Sequence, residues 1–369
     1  MPRYLLFFSY LGSRFSGLQK QPRNITVQGV LEYALSTVLR VPDSHIRVHT
    51  SSRTDAGVHA MMNSATVTLP PMGLPSGVKP RPVLGINPDP PYDPTYLQAA
   101  LNHLLWDLDL EVRITGCRIV ADGFCPRRHA LMRTYLYRLA VLKPEYDLNS
   151  EPALLQTAAT IAPLVELDRS WPINSNFNPD AFSDAARELT GTHNFASFMS
   201  NPFSGTMLAR KDQKVPLDTN RHIRNIQIMP GQPTLSPKYE PLCGCFNYYD
   251  VSIVSKSFLY NQIRRMMSAM VAVAQGRITI ADVRWLLKHP HLQSWDKYNL
   301  HIAPATALYL QHIEYNPSDF ENPNPSFLRQ PADSSEETDF DEEEGDVSAE
   351  TGQSDESSKT EGRPSSMQL

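Results

Sequence analysis

SSRTDAGVHA, residues 51–60, is the stretch from which the rest of the chain is read. One acid, Asp55, stands between Arg53-Thr54 and Ala56-Gly57, with His59 just beyond. Upstream, IRVHTSSRT at 46–54 reads as a strand entering the motif, and downstream NSATVTL at 63–69 alternates like another strand. The motif is then a short polar loop between two strands, with close backbone approach available at Ala56-Gly57. An acid in a T-D-A-G stretch is most often a turn or helix cap. The functional alternative is a nucleophile or general base on an exposed loop, held in its ionised form by Arg53. A lone carboxylate argues against ordinary glycoside hydrolysis, which typically uses a pair.

Working outward, YLLFFSY at 4–10 reads as a buried strand, and LGSRFSG at 11–17 as a Gly-bounded loop carrying Arg14. Thr26 caps a helix with Val27, Val30, Leu31, Leu35, Val38 and Leu39 on one face. Residues 70–94 hold nine prolines and read as a long loop. A helix runs from Tyr96 through Leu105, and EVRITGCRIV at 111–120 is a strand. Further strands are expected at RTYLYRLAVL (133–142), HIRNIQIM (222–229) and FNYYDVSIVS (246–255). Asp180 opens a helix that ends at Gly191, and GTHNFASF at 191–198 follows as a turn and then a strand. NQIRRMMSAMVAVAQG at 261–276 is a helix with its stop glycine at Gly276. This order predicts an α+β protein of two units, each a mainly antiparallel sheet with helices.

The 369 residues suffice for about two domains with sizeable cores. No run approaches the eighteen or more apolar residues of a membrane span. The N-terminus lacks the layout of a cleavable signal and the Arg/Ser-rich helix of an obvious transit peptide. Four cysteines in such a length fit a reducing compartment rather than a disulfide framework. Cys-Gly-Cys at 243–245 has no His or Cys at useful spacing beside it, so no metal is expected. The net charge of −5 conceals an asymmetry: beyond Tyr315 lie 15 Asp/Glu against 3 Lys/Arg, so the body is net basic. A basic body points towards a polyanionic partner. From about Pro317 the chain is acidic, Ser/Pro-rich and poor in aromatics, and it is expected to be disordered.

Two further stretches carry candidate chemistry. In FCPRRHALMRTYLYRL (124–139), Arg127, Arg128, Arg133 and Arg138 interleave with Tyr135 and Tyr137. On a strand, Arg133, Tyr135 and Tyr137 share one face. That face is either an ordinary amphipathic surface with snorkelling arginines or a platform that holds phosphates and stacks a base. In SFLYNQIRRMMSAM (257–270), Arg264 and Arg265 must point in different directions, one outward and one inward among methionines. A buried arginine needs a carboxylate, and Asp55 is the candidate.

In this order the motifs resemble the TruA family of tRNA pseudouridine synthases, from about Tyr4 to Tyr315. RTDAGVHA (53–60) is similar to that family's catalytic motif. GSRFSG (12–17), TVQGVLEYAL (26–35), RTYLYRL (133–139), GTHNFASF (191–198), SFLYNQIRRM (257–266) and APATALYL (303–310) support it. The chain is most similar to the animal tRNA pseudouridine synthase-like 1 branch. The resemblance implies two RRM-like halves packed around a central sheet, here residues 1–112 and 113–316, followed by the acidic tail 317–369. It implies isomerisation of uridine in tRNA without a cofactor, with Asp55 as nucleophile, Tyr135 stacking on the base and Arg264 pairing with Asp55. Attack on the base and attack on the sugar both remain open. Arg53 matches an arginine that holds the flipped nucleotide's place. Arg14, Arg127, Arg133 and His59, on or beside these motifs, complete the set expected to contact RNA. The family commonly dimerises, which makes a homodimer the expected assembly. The branch points to mitochondria, while cytosol and nucleus stay open. Leu18, Pro126, Ala305 and Ala307 depart from the family pattern, and 70–94 and 230–245 are insertions. These leave open whether the anticodon stem-loop target of bacterial relatives carries over. The competing reading is an RNA-binding or ribosome-associated protein of the same fold with little catalysis.

Overall fold

Alternation in the first strand sets how the sheet is covered. In β1 (Arg3–Tyr10), Tyr4, Leu6, Phe8 and Tyr10 enter the main core, while Leu5 packs on the opposite side with Val120, Phe124 and Phe320. Both faces of this strand are therefore buried, which explains its unbroken apolar run. The computed structural model describes residues 2–69, 92–146, 157–201 and 218–327.

Ten strands join one sheet among these residues. The N-terminal part contributes β1, β2 (Val48–Thr50), β3 (His59–Thr68) and β4 (Val112–Val120). The remainder contributes β5 (Ala130–Leu142), β6 (Trp171–Ile173), β7 (Gly191–Asn194), β8 (Asn220–Pro230), β9 (Phe246–Ser255) and β10 (Leu308–Tyr315). The order is β4-β1-β3-β10-β5-β9-β8-β7, with β2 added on β3 and β6 on β5. Pairing is antiparallel except β10 with β3 and β6 with β5. The last strand thus lies in the middle. It runs parallel to β3, with Tyr309 opposite His59, and antiparallel to β5, with Leu310 opposite Tyr135. β4 pairs with β1 along its length, so the strands grouped with the N-terminal part continue past residue 112.

Helices pack on this sheet where the periodicity placed them. α1 (Val27–Leu39) starts at Thr26, whose hydroxyl accepts from the Gly29 amide at 3.3 Å. α2 (Pro94–Asp107) begins two residues before the expected Tyr96. Asp93 caps it by accepting from the Tyr96 amide at 2.9 Å, and Pro94 needs no N–H in the first turn. The rest of the expected proline-rich loop, 70–91, lies outside the described residues. α3 (Ala158–Ile161) is one turn, and α4 (Pro179–Leu189), α5 (Gln262–Ala274) and α6 (Ile280–Lys288) cover the second part of the sheet. α5 stops at Gly276, φ 69°. No helix among the described residues is long and apolar enough to cross a membrane.

Three local expectations are corrected. The strand expected over 46–54 is only Val48–Thr50, because beyond it backbone and side-chain oxygens of Ser51 and Ser52 bond to the Arg133 guanidinium instead of to a strand. In GTHNFASF the strand comes first and the turn, Ala196–Phe198, second. The chain beyond Tyr315 does not leave the body at once. Pro317–Phe320 form a helical turn, Phe320 is buried beside Phe124 at 5.3 Å, and Ala121 donates to its carbonyl at 2.7 Å. An aromatic ring that covers Leu5 anchors what composition alone marks as tail. Residues 328–369 lie outside the described residues.

Candidate active site

The Asp55 loop is a tight turn clamped from two sides. Val58 donates to the Asp55 carbonyl at 3.1 Å, and Gly57 has φ 82°, where an L side chain is strained. A Cβ on Gly57 would stand 3.3 Å from Ala305 and Thr306. On the other side, the 11–17 loop lies against the turn. Leu18 donates to the Thr54 carbonyl at 3.1 Å, and the Tyr10 and Thr54 hydroxyls are 2.7 Å apart. Gly12 approaches so closely that an added Cβ would be 2.0 Å from the Val58 carbonyl oxygen. Gly12→Ala must therefore push backbone against backbone. We expect it to cost about 1–3 kcal/mol in a denaturant melt and to lower activity through the displaced turn.

His59 locks the end of this turn. Its ring is 1% exposed and stacks on Tyr309 at 4.6 Å. Nδ1 accepts from the Gly12 amide at 2.9 Å, so Nε2 carries the proton and faces the carbonyls of Asp168 at 2.8 Å and Thr306 at 2.9 Å. His59, expected from sequence to meet substrate, occupies an interior position joining three loops. Burial is the largest influence on the ring and pushes its pKa below the ordinary 6.5. A lowered histidine pKa means that its stabilisation is complete above 6.5 and is lost as pH falls through the folded-state value. His59→Gln is expected to flatten the loss of stability on acidification below pH 6.5, read by thermal melts across pH.

Tyr135 and Arg264 come from separate elements, and each interacts electrostatically with Asp55. Tyr135 lies on β5 on the same side as Arg133 and Tyr137, is 7% exposed, and meets the Phe258 ring edge-on at 5.3 Å. Desolvation raises its pKa well above the ordinary value, with Arg133 opposing and Tyr10 and Asp55 adding to the rise. The phenol therefore stays neutral. Arg264 projects from the first turn of α5, where Nε donates to the Ala303 carbonyl at 2.7 Å and Nη1 to Asn261 Oδ1 at 2.8 Å. Asn261 itself sits at φ 58°, an uncommon conformation for a residue with a side chain. Burial raises the Asp55 pKa above 3.8, and the Arg264 charge opposes that rise. The arrangement holds a carboxylate short of water but within the field of a cation. Arg265 is half-buried too, donating to the Ser197 and Met199 carbonyls at 3.1 and 2.7 Å, so it is not the outward arginine expected.

The 303–307 loop, noted in sequence only as part of APATALYL, proves central. Ala303 receives Arg264, Pro304 receives the Tyr137 hydroxyl at 2.8 Å, Thr306 receives His59, and Ala305 touches the Gly57 turn. Its contacts are made through backbone carbonyls and methyl groups, so side-chain chemistry gave no signal for it.

The basic residues expected to contact RNA divide. Arg133 is 8% exposed and donates to the Ser51 carbonyl at 2.8 Å, Ser52 Oγ at 2.7 Å, the Arg127 carbonyl at 3.2 Å and the Lys256 carbonyl. Its hydrogen-bonding capacity goes into the protein rather than toward a phosphate. Arg138, on the other side of β5, pairs with Glu166 at 3.2 Å. Arg53 and Arg127 are exposed. Arg14 is exposed and lies 4.0 Å from Asp109. Cys117, Cys125, Cys243 and Cys245 are free thiols, and among the described residues no cluster of three or more metal-ligating acids, histidines or cysteines occurs.

A mainly antiparallel ten-stranded sheet thus carries a desolvated aspartate whose charged form is favoured by Arg264. The family model described as tRNA pseudouridine synthase matches residues 6–76 and 185–316, more than half of the chain. The chain is 31% identical over 320 residues to the human tRNA pseudouridine synthase-like 1, covering 85% of this chain and 90% of that one. It is 30% identical over 315 residues to the Xenopus laevis protein of the same name, covering 85% and 91%. Against the tRNA pseudouridine synthase A of Afipia carboxidovorans it is 28% identical, covering 85% and 100%. The chain belongs to the tRNA pseudouridine synthase family.

Proposed function

We propose that this protein isomerises uridine to pseudouridine in tRNA, with Asp55 as the nucleophile. The observation that carries the reading is the Asp55 turn, whose carboxyl is desolvated, is acted on by the Arg264 charge, and itself raises the pKa of Tyr135. The N1–C1′ bond of uridine breaks and a C5–C1′ bond forms. C5 gives up a proton and N1 gains one, so nothing is consumed and no cofactor is required. A uridine stacked in a helix has no room for the uracil to turn, so the nucleotide is flipped into the cleft. Tyr135, neutral and held by Phe258, offers its ring to the base. Arg264 opposes the burial that favours the protonated form of Asp55, and Arg53 supports the RNA beside the flipped position.

In this reading residues 1–112 supply the aspartate turn and residues 113–316 supply the tyrosine and arginine. A homodimer would let one tRNA span two subunits, and the anticodon stem-loop is the first target to examine. The test is pseudouridine mapping by position on pooled tRNA with the wild-type chain and Asp55→Asn. Formation at a defined position by wild type, absent in the variant, supports the assignment. Equal RNA binding with no pseudouridine from either chain would replace it with the RNA-binding reading.

A further inference from the structure

Arg133 gathers backbone that carries cations. By bonding Ser51, Ser52, Arg127 and the Lys256 carbonyl, it draws together three backbone segments that bear the exposed side chains Arg53, Arg127 and Lys256. The described chain ends at this same place. The Phe327 ring lies 5.6 Å from the Lys256 ammonium and 5.4 Å from the His129 ring. Beyond Phe327 the sequence continues for 42 residues with 13 Asp/Glu and 3 Lys/Arg, and residues 333–346 hold nine acids and no base. The densest part, DFDEEEGD, starts at Asp339. The dozen or so intervening residues span at most roughly 40 Å, so the acidic run reaches the rim from its own attachment point. A tether this short gives an effective concentration on the order of millimolar.

We infer that the acidic segment 333–346 docks on the rim formed by Arg53, Arg127 and Lys256 and competes there with RNA phosphates. The inference rests on the reading of that rim as part of the RNA entrance. An acidic segment supplies the charge of a phosphate run without a base to enter the cleft. It therefore occupies the approach, leaves Asp55 untouched, and yields to tRNA, whose charge is larger. Nonspecific polyanions of lower charge density are excluded first. Because the contacts are exposed ion pairs, salt weakens them.

The test compares the full chain with a full-length variant in which the nine acids of 333–346 become Asn or Gln. Lys256 is labelled with a limiting amine-reactive reagent in the absence of RNA, with Lys288 on α6 as the distant exposed control. In the neutralised variant Lys256 is expected to label about threefold faster at low salt with Lys288 unchanged, and tRNA to bind about tenfold tighter, both differences closing as salt rises. Equal labelling of Lys256 in the two chains overturns the docking. So does a change in tRNA affinity with no change at Lys256, since net charge alone then accounts for it. Protection of Lys256 in a chain that makes no pseudouridine supports the docking while removing the isomerase reading, so the two fail separately.

Discussion

Asp55→Asn is expected to reduce pseudouridine formation by more than about 10⁴-fold, the scale on which removing a covalent nucleophile acts, while tRNA affinity changes by less than about threefold. The substitution keeps size and shape, and the turn's backbone bond from Val58 to the Asp55 carbonyl does not involve the side chain. Single-turnover rates and filter binding on the same tRNA separate the two quantities. The same variant carries a stability signature. Burial raises the Asp55 pKa, so the folded state favours the protonated acid, and stability is lost as pH rises through the folded-state value. At neutral pH the wild-type carboxylate therefore costs stability, and Asp55→Asn should melt higher than wild type. The difference should vanish as pH falls below 3.8, where the acid is protonated in both states. A variant that is inactive and less stable would instead mark Asp55 as a structural cap.

Arg264→Gln is expected to lower kcat by about 10²–10³-fold with a smaller change in KM, comparable to removing one preorganised charge from a dry site. The Arg264 charge is what opposes the desolvation of Asp55. Without it the Asp55 pKa rises further, a smaller fraction of the enzyme is ionised at a given pH, and the acid limb of the pH–rate profile moves to higher pH. Arg264 also bonds Ala303 and Asn261, so some loss comes from displaced backbone. Arg264→Lys distinguishes the contributions. It restores the charge without the planar fork, so the acid limb should return toward wild type while kcat recovers only in part. An unshifted acid limb in Arg264→Gln would show that the guanidinium does not govern Asp55.

Local features of this molecule were readable from sequence because they depend on near neighbours. The cap at Thr26, the stop at Gly276 and the period of two that sets Arg133, Tyr135 and Tyr137 on one side all appear in the structure. What that side faces depends on which strand arrives beside β5, and the strand that arrives is β10, from more than 160 residues away. Arg133 was expected to meet phosphate, while in the fold it donates to the Ser51 carbonyl and the Ser52 hydroxyl of the Asp55 loop. His59 gave no sign of its three partners, since two of them lie on loops around residues 168 and 306. Residue chemistry alone marked Tyr135 as part of a platform for a base and one arginine of the 264–265 pair as a partner for Asp55, but which arginine it is came only through resemblance, because spacing does not show which of the two turns inward.

The position of β10 also sets an order of events during synthesis. Residues 303–310 carry the carbonyls that hold Arg264, Tyr137 and His59, and they supply the central strand joining β3 to β5. A chain still emerging from the ribosome has its aspartate turn and its tyrosine strand long before it has the strand between them. It cannot assemble a working cleft until nearly all of the ordered body has left the exit tunnel. Chains cut before residue 303 are therefore expected to be catalytically silent, however well their first strands fold.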